Sequence, residues 1–264
     1  MPLARGVKVP MPDSPSAYPL PWPRRLHLAV FPPACRDCDR LLTTNGAAPG
    51  YPFLCADCWL DLPWIDRRHH CGRCGAATAE PQRQVCPQCA DKPWALSGVH
   101  AACHYEAAVR RWILRFKFRR QIGLRRLLAL LLALGPQPPA DEAALLVPVP
   151  LHRRRLWGRG FNQSLLLAHG WRELHRGWGH PVPTLAPQVL TRQRYTPPQL
   201  TVSAAARAGN VAGAFAVPDP AAVAGRHVVL VDDILTSGAT LNACAQALLA
   251  ADAATVRALV VARA

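Results

Sequence analysis

The run VVLVDDILTSGAT, Val228 to Thr240, places two adjacent carboxylates directly before a turn of small and hydroxyl-bearing residues. His227 to Val231 reads as a buried strand of the parallel type. TSGAT then makes a turn, and Leu241 to Ala250 reads as a helix whose free N–H groups face it. A helix N-terminus beside exposed loop amides receives phosphate through backbone donors and a favourable dipole. Thr236, Ser237 and Thr240 add hydroxyl donors, and Gly238 adds backbone freedom. No lysine follows the glycine, which excludes a nucleoside-triphosphate P-loop. Asp232 and Asp233 would repel the same phosphate but accept hydrogen bonds from sugar hydroxyls. A ligand with a phosphate at one end and a diol nearby satisfies both halves, which describes a ribose 5-phosphate. An ordinary strand–turn–helix with an acidic N-cap accounts for one aspartate only.

A second chemistry resides in the cysteines. Eight of the ten fall in four C-x2-C pairs: Cys35/Cys38, Cys55/Cys58, Cys71/Cys74 and Cys86/Cys89. Each such knuckle points two thiolates at one ion, and two knuckles complete a tetrahedral S4 site. The gap from Cys38 to Cys55 fits the spacing of a zinc ribbon, and that from Cys74 to Cys86 is shorter. Structural zinc at two sites is the expectation, because a catalytic zinc keeps an open position. Thiolates alone do not choose zinc over iron, and a disulfide framework is the weaker reading because nothing in the sequence indicates export. Sequential pairing, 35/38/55/58 and 71/74/86/89, needs the least chain crossing, while spacing leaves an interleaved pairing open. Cys103 and Cys244 read as small buried residues; His69 and His70, beside Cys71, could substitute as ligands, but with eight cysteines available they read as solvated.

The elements that must position these groups carry much of the positive charge. Residues 104–120, HYEAAVRRWILRFKFRR, place Val109, Trp112, Ile113 and Phe116 at helical spacing. Arg110, Arg111, Arg115, Lys117, Arg119 and Arg120 share those turns, as a solvated face or a phosphate-facing one. A buried Leu-rich helix continues to Leu134, and GPQPPADE makes a loop. A strand at Leu145 to Pro150 leads into the basic loop LHRRRLWGRGFNQS, and a helix runs from Asn162 to His175. Arg153, Arg154, Arg155 and Arg159 cluster there with Gly158 and Gly160. Arginines on a glycine-bearing turn present planar donor forks to phosphate oxygens. This turn follows a strand's carboxyl end, where open α/β sheets bind ligands. Residues 176–226 are less regular, with a loop leading into a strand at Phe215 to Val217.

At 264 residues and 50% hydrophobic composition, the chain can build one full α/β domain plus a smaller unit. Its formal net charge of +15 favours phosphate-rich partners such as nucleotides or nucleic acid. The longest apolar run, Leu127 to Leu134, falls far short of the roughly 20 residues a spanning helix needs. The proline-rich start reads as a disordered lead-in through Arg25. Arg24 and Arg25 precede LHLAV, but Pro32 cuts the apolar run that an export signal would require. A cytoplasmic location is the expectation.

The segment VVLVDDILTSGAT closely resembles the phosphoribosyl-diphosphate (PRPP) motif of type I phosphoribosyltransferases. The wider pattern of FPPACRDC with its further knuckles, FKFR, VPVPLHRRRLWGRGFNQ and TPPQLTVSAAARAGNVAGAF is similar to the ComF (competence protein F) family, over residues 26–264. The resemblance implies an α/β fold: a type I phosphoribosyltransferase-like parallel sheet flanked by helices, with a small N-terminal zinc-ribbon domain. The implied domains are the lead-in at 1–25, a double zinc ribbon at 26–95 and the phosphoribosyltransferase-like domain at 96–264. It implies that Asp232, Asp233, Thr236, Ser237, Gly238, Ala239 and Thr240 form the PRPP site, with Mg accompanying PRPP. Arg154, Arg155 and Arg159 are the implied pyrophosphate contacts. The family often has an arginine after TPPQ where this chain has Ala204, although Arg207 and Asn210 remain. Two readings of function stand. In one, the fold binds PRPP and acts in DNA uptake and natural transformation, with zinc ribbons and basic helices holding single-stranded DNA beside competence-machinery proteins. In the other, it is an active phosphoribosyltransferase, with Asp232 and Asp233 positioning the ribose for an unidentified nucleobase. On either reading Asp233→Asn is expected to weaken PRPP binding with little effect on stability, and Gly238→Val to be worse, by crowding the phosphate and restricting a backbone position that needs glycine's freedom.

Overall fold

The computed structural model describes residues 33–42, 47–48, 51–66, 69–78, 85–90, 94–138, 144–194 and 213–264. The proline-rich lead-in and the TPPQLTVSAAARAGN segment, with Ala204, Arg207 and Asn210, lie outside them. The chain divides into two compact units, Met1–Pro63 and Trp64–Ala264, so the segment 26–95 contributes to both.

In the first unit, β1 (Ala47–Ala48) pairs antiparallel with β2 (Tyr51–Cys55), and α1 (Ala56–Leu60) follows. Cys35, Leu42, Leu54 and Cys55 are buried in this small unit. Arg40 and Asp57 form an exposed ion pair at 2.7 Å, of a kind that adds little stability.

The second unit opens with α2 (Pro87–Ala90) and then β3 (Gly98–His104). Helix α3 (Ala107–Phe118) buries Val109, Trp112, Ile113 and Phe116, the stripe expected from its spacing. A short 3-10 turn leads into α4 (Arg125–Leu134), which is buried along Leu127–Ala133. Strand β4 (Leu145–Pro148) is followed by α5 (Arg153–Arg159) and α6 (Gln163–Gly177). Next come β5 (Thr184–Leu185), β6 (Thr191–Arg192) and β7 (Phe215–Ala216), the last two paired antiparallel. Strand β8 (His227–Leu235), α7 (Ala239–Leu249) and β9 (Thr255–Arg263) complete the described residues.

The main sheet has five strands in the order β3-β9-β8-β4-β5, and every pairing in it is parallel. Its central strands are nearly continuous in Val, Leu and Ala because both faces are covered. Helices α4 and α6 pack closely, and a Cβ at Gly170 would lie 2.7 Å from that of Ala129. All carboxyl ends of a parallel sheet share one edge, so the residues after β3, β4 and β8 converge there. Among the described residues no helix is long and apolar enough to cross a membrane.

Candidate ribose-phosphate site and metal centres

Strand β8 runs through both aspartates instead of ending before them. Asp232 pairs in register with Val260 of β9, and the ladder continues to Leu235 opposite Arg263. Asp232 is half-buried, and its Oδ1 accepts from Ser164 Oγ and from the Asp233 backbone N–H, each at 2.9 Å. Burial and then the adjacent Asp233 charge push its pKa up to about 7, with Lys117 opposing. The Asp233 side chain is 4% exposed and meets Lys117 Nζ at 2.8 Å. Lys117 has thus turned from the basic face of α3 toward the sheet edge, while Arg110, Arg111, Arg119 and Arg120 stay exposed.

The turn after β8 has the expected form. Gly238 adopts a left-handed φ of 77° and begins α7, whose Asn242 N–H donates to the Gly238 carbonyl at 2.8 Å. Thr236 and Ser237 are exposed, and Ala239 and Thr240 are half-buried. The crowding at Gly238 comes from protein: a Cβ there would lie 2.6 Å from Trp94 Cζ3. The left-handed backbone is the conformation expected to need glycine, and the branched side chain of Gly238→Val would meet this indole in addition.

The basic loop is a helix. His152 caps α5, its Nδ1 accepting from the Arg154 N–H at 3.3 Å, and Gly160 ends it at φ 84°. Four arginines, a leucine and a tryptophan favour that helix over an open loop, and Gly158 lies within it. Arg154 is exposed, whereas Arg155 and Arg159 are half-buried. Burial lowers the Arg159 pKa, attraction to Asp233 opposes this, and repulsion by Arg155 adds to it. Arg159 Nη1 donates to Gln163 Oε1 at 3.1 Å, and its guanidinium sits 5.2 Å from the Phe118 ring centroid. Burial likewise lowers Arg192, with repulsion from Arg155 and attraction to Cys244 and Asp232.

The structure therefore brings the paired aspartates and Arg159 together at the sheet's carboxyl edge, with the TSGAT turn following directly from β8. Lys117, from the basic face of α3, joins them, as do Ser164 and Arg192, which the sequence did not single out. Asn162 starts α6, its Oδ1 accepting from Ser164 N at 3.0 Å while its Nδ2 donates to Val149 O at 3.1 Å. The FNQS run signalled that helix start, but the Ser164–Asp232 contact depends on β4 and β8 being neighbours.

The cysteines settle into sequential tetrads, Cys35/Cys38/Cys55/Cys58 and Cys71/Cys74/Cys86/Cys89. Within each, all sulfurs lie within 4.8 Å of one another, and no disulfide is formed. Cys38–Cys55 and Cys74–Cys86 sulfur separations are 3.7 Å and 3.8 Å. A tetrahedron with ~2.3 Å zinc–sulfur bonds has edges of about 3.8 Å, so both sets fit structural zinc. The Cys86 N–H also donates to Cys71 Sγ at 3.2 Å. Cys103 and Cys244 are fully buried outside the tetrads. His70 is not solvated: its Nδ1 meets the Asp66 carbonyl, its ring lies 5.2 Å from that of His104, and burial lowers its pKa.

Residues 183–264 match the family model of the phosphoribosyl transferase domain, and residues 26–92 that of the double zinc ribbon domain. The DNA utilization protein YhgH of Escherichia coli (strain K12) is 35% identical over 193 residues, covering 71% of this chain and 81% of that protein. Competence protein F of Haemophilus influenzae is 32% identical over 195 residues, covering 72% and 81%. Competence protein ComFC of Bacillus subtilis is 33% identical over 109 residues, covering 41% and 40%. With both domains present and relatives matched over most of their length, the chain belongs to the competence protein F family.

Proposed function

We propose that this protein binds PRPP at the carboxyl edge of its sheet and acts in DNA uptake in the cytoplasm, holding single-stranded DNA on its basic surface. The observation that carries the PRPP reading is the joint presence of Asp232, Asp233 and the glycine turn at one strand end. Asp232 and Asp233 accept hydrogen bonds from the ribose hydroxyls, and the amides and hydroxyls of Thr236, Ser237, Gly238, Ala239 and Thr240 receive the 5-phosphate. Arg154, Arg155 and Arg159 face the pyrophosphate. Mg bound with PRPP supplies further charge neutralisation there.

The names of the relatives, DNA utilization protein and competence protein, support the DNA role. So does an exposed aromatic pair among arginines: Trp157 is 82% and Phe118 67% exposed. Single-strand binders combine such stacking platforms with cations that track the backbone. Calorimetry with PRPP and Mg, together with gel shifts on single strands at two ionic strengths, tests the proposal. Saturable PRPP heat and strand affinity that falls steeply with salt are expected. Absence of PRPP heat across a millimolar range would rule out the ribose-phosphate site. Retention of both acids favours the second reading, phosphoribosyl transfer to a nucleobase, which a pyrophosphate-release screen would detect.

A further inference from the structure

We infer that the second cysteine tetrad is a working part of the phosphate turn, with Trp94 and Arg263 as the positioning residues that join them. The inference rests on the proposed ribose-phosphate reading for its functional meaning, and on three separate contacts for its geometry. Trp94 packs against the Cys71/Cys74/Cys86/Cys89 cluster on one side and against the sheet core on the other. Its indole occupies the space that any side chain at Gly238 would need. The next residue, Ala95, donates its N–H to Asn242 Oδ1 at 2.7 Å, in the first turn of α7. From the opposite end of the unit's sequence, Arg263 Nε donates to the Cys74 carbonyl at 3.1 Å. The same guanidinium donates through Nη1 to the Thr236 carbonyl at 2.9 Å and the Leu235 carbonyl at 3.3 Å.

A knuckle held by metal is rigid, and each of these contacts passes that rigidity to the turn. The indole fixes the backbone at Gly238, where the left-handed conformation would otherwise be one of several open to glycine. Arg263 holds the carbonyls of Leu235 and Thr236, so the adjoining amides keep one orientation. Anion-binding amides need such preorganisation, because a turn that must be ordered by its ligand binds it more weakly. The first tetrad belongs to the other compact unit. The two metal centres are therefore not equivalent: loss of the second loosens the phosphate turn, and loss of the first leaves it unchanged.

Hydrogen exchange of the full-length protein reads this directly, in the peptide spanning residues 234–242. Trp94→Ala, Arg263→Met and Cys86→Ser should each accelerate exchange there by about tenfold or more, the equivalent of 1.4 kcal/mol of lost local order. Cys35→Ser should leave that peptide as in wild type. Affinity for ribose 5-phosphate, measured by calorimetry well below the melting temperature, should fall in parallel. A merely structural role would lower the melting temperature while leaving turn exchange and affinity unaltered, and that outcome overturns the inference. Arg263→Met keeps every cysteine and decides the matter if Cys86→Ser does not fold. If wild type binds no ribose 5-phosphate, the proposed ligand is wrong, while the exchange comparison still decides the coupling.

Discussion

Asp232 and Asp233 are neighbours with unlike surroundings, and their variants should behave differently. Asp232 is a carboxylate held at a raised pKa of about 7 by burial and by the charge beside it. An unfolded aspartate titrates near pH ~3.9, so the folded state holds the proton more tightly. The stability from this group is full below about pH 4 and is lost as pH rises through about 7. Asp232→Asn should therefore stabilise the ligand-free protein relative to wild type by on the order of 1–3 kcal/mol at pH 8, and by much less at pH 5. Thermal melts of both proteins at the two pH values check this, and PRPP binding should be lost throughout. Asp233 behaves otherwise, because its buried carboxylate is the partner of Lys117. The expectation that Asp233→Asn spares stability is corrected: it strands an ammonium at low exposure and should cost about 2–4 kcal/mol. Adding Lys117→Met should recover part of that loss, and a double-mutant cycle in urea measures the coupling.

Elements were legible in the sequence where their signal is local. The apolar stripe of α3, the C-x2-C knuckles and the glycine turn each lie within a dozen or so residues and follow from period, ligand geometry or backbone freedom. Strands β3 and β9 carry no such local signal, because an apolar run such as TVRALVVAR acquires meaning only beside its partners. The Ser164–Asp232 bond joins positions 68 apart in sequence, and the Lys117–Asp233 pair is likewise set by which strands are adjacent. Helix α5 carries the arginines and glycines of a turn in its sequence, although His152 and Gly160 are its caps. That helix now has a consequence for DNA. Arg120 Nη2 donates to the Gly158 carbonyl at 2.9 Å, tying the end of α3 to α5 and fixing Trp157 and Phe118 on neighbouring elements. Trp157→Ala should weaken single-strand binding by about tenfold, from a stacking contribution of roughly 1–3 kcal/mol per base. Fluorescence anisotropy at several salt concentrations should show an unchanged salt slope, since no cation is removed.

For the molecule as a whole, two zinc ions per chain are expected by elemental analysis, one for each tetrad. Such sites contribute on the order of 10–16 kcal/mol of apparent binding free energy and should survive dialysis. Cys35→Ser should disorder the first unit alone, leaving protease-resistant material that begins near Trp64. The strand order carries a different consequence, for the chain as it is made. Strand β9 lies between β3 and β8, yet it is drawn from residues later in the chain than every other strand described. During synthesis β3 and β8 must wait with open hydrogen-bonding edges until residues 255–263 have left the ribosome. Open edges of that kind pair with other chains, so the emerging polypeptide is at its most vulnerable to aggregation just before Thr255 appears. The first cysteine tetrad, drawn from residues 35–58, can close long before that moment. Insertion of the last strand between two waiting neighbours is then the event that turns a partly ordered nascent chain into a protein with a finished sheet.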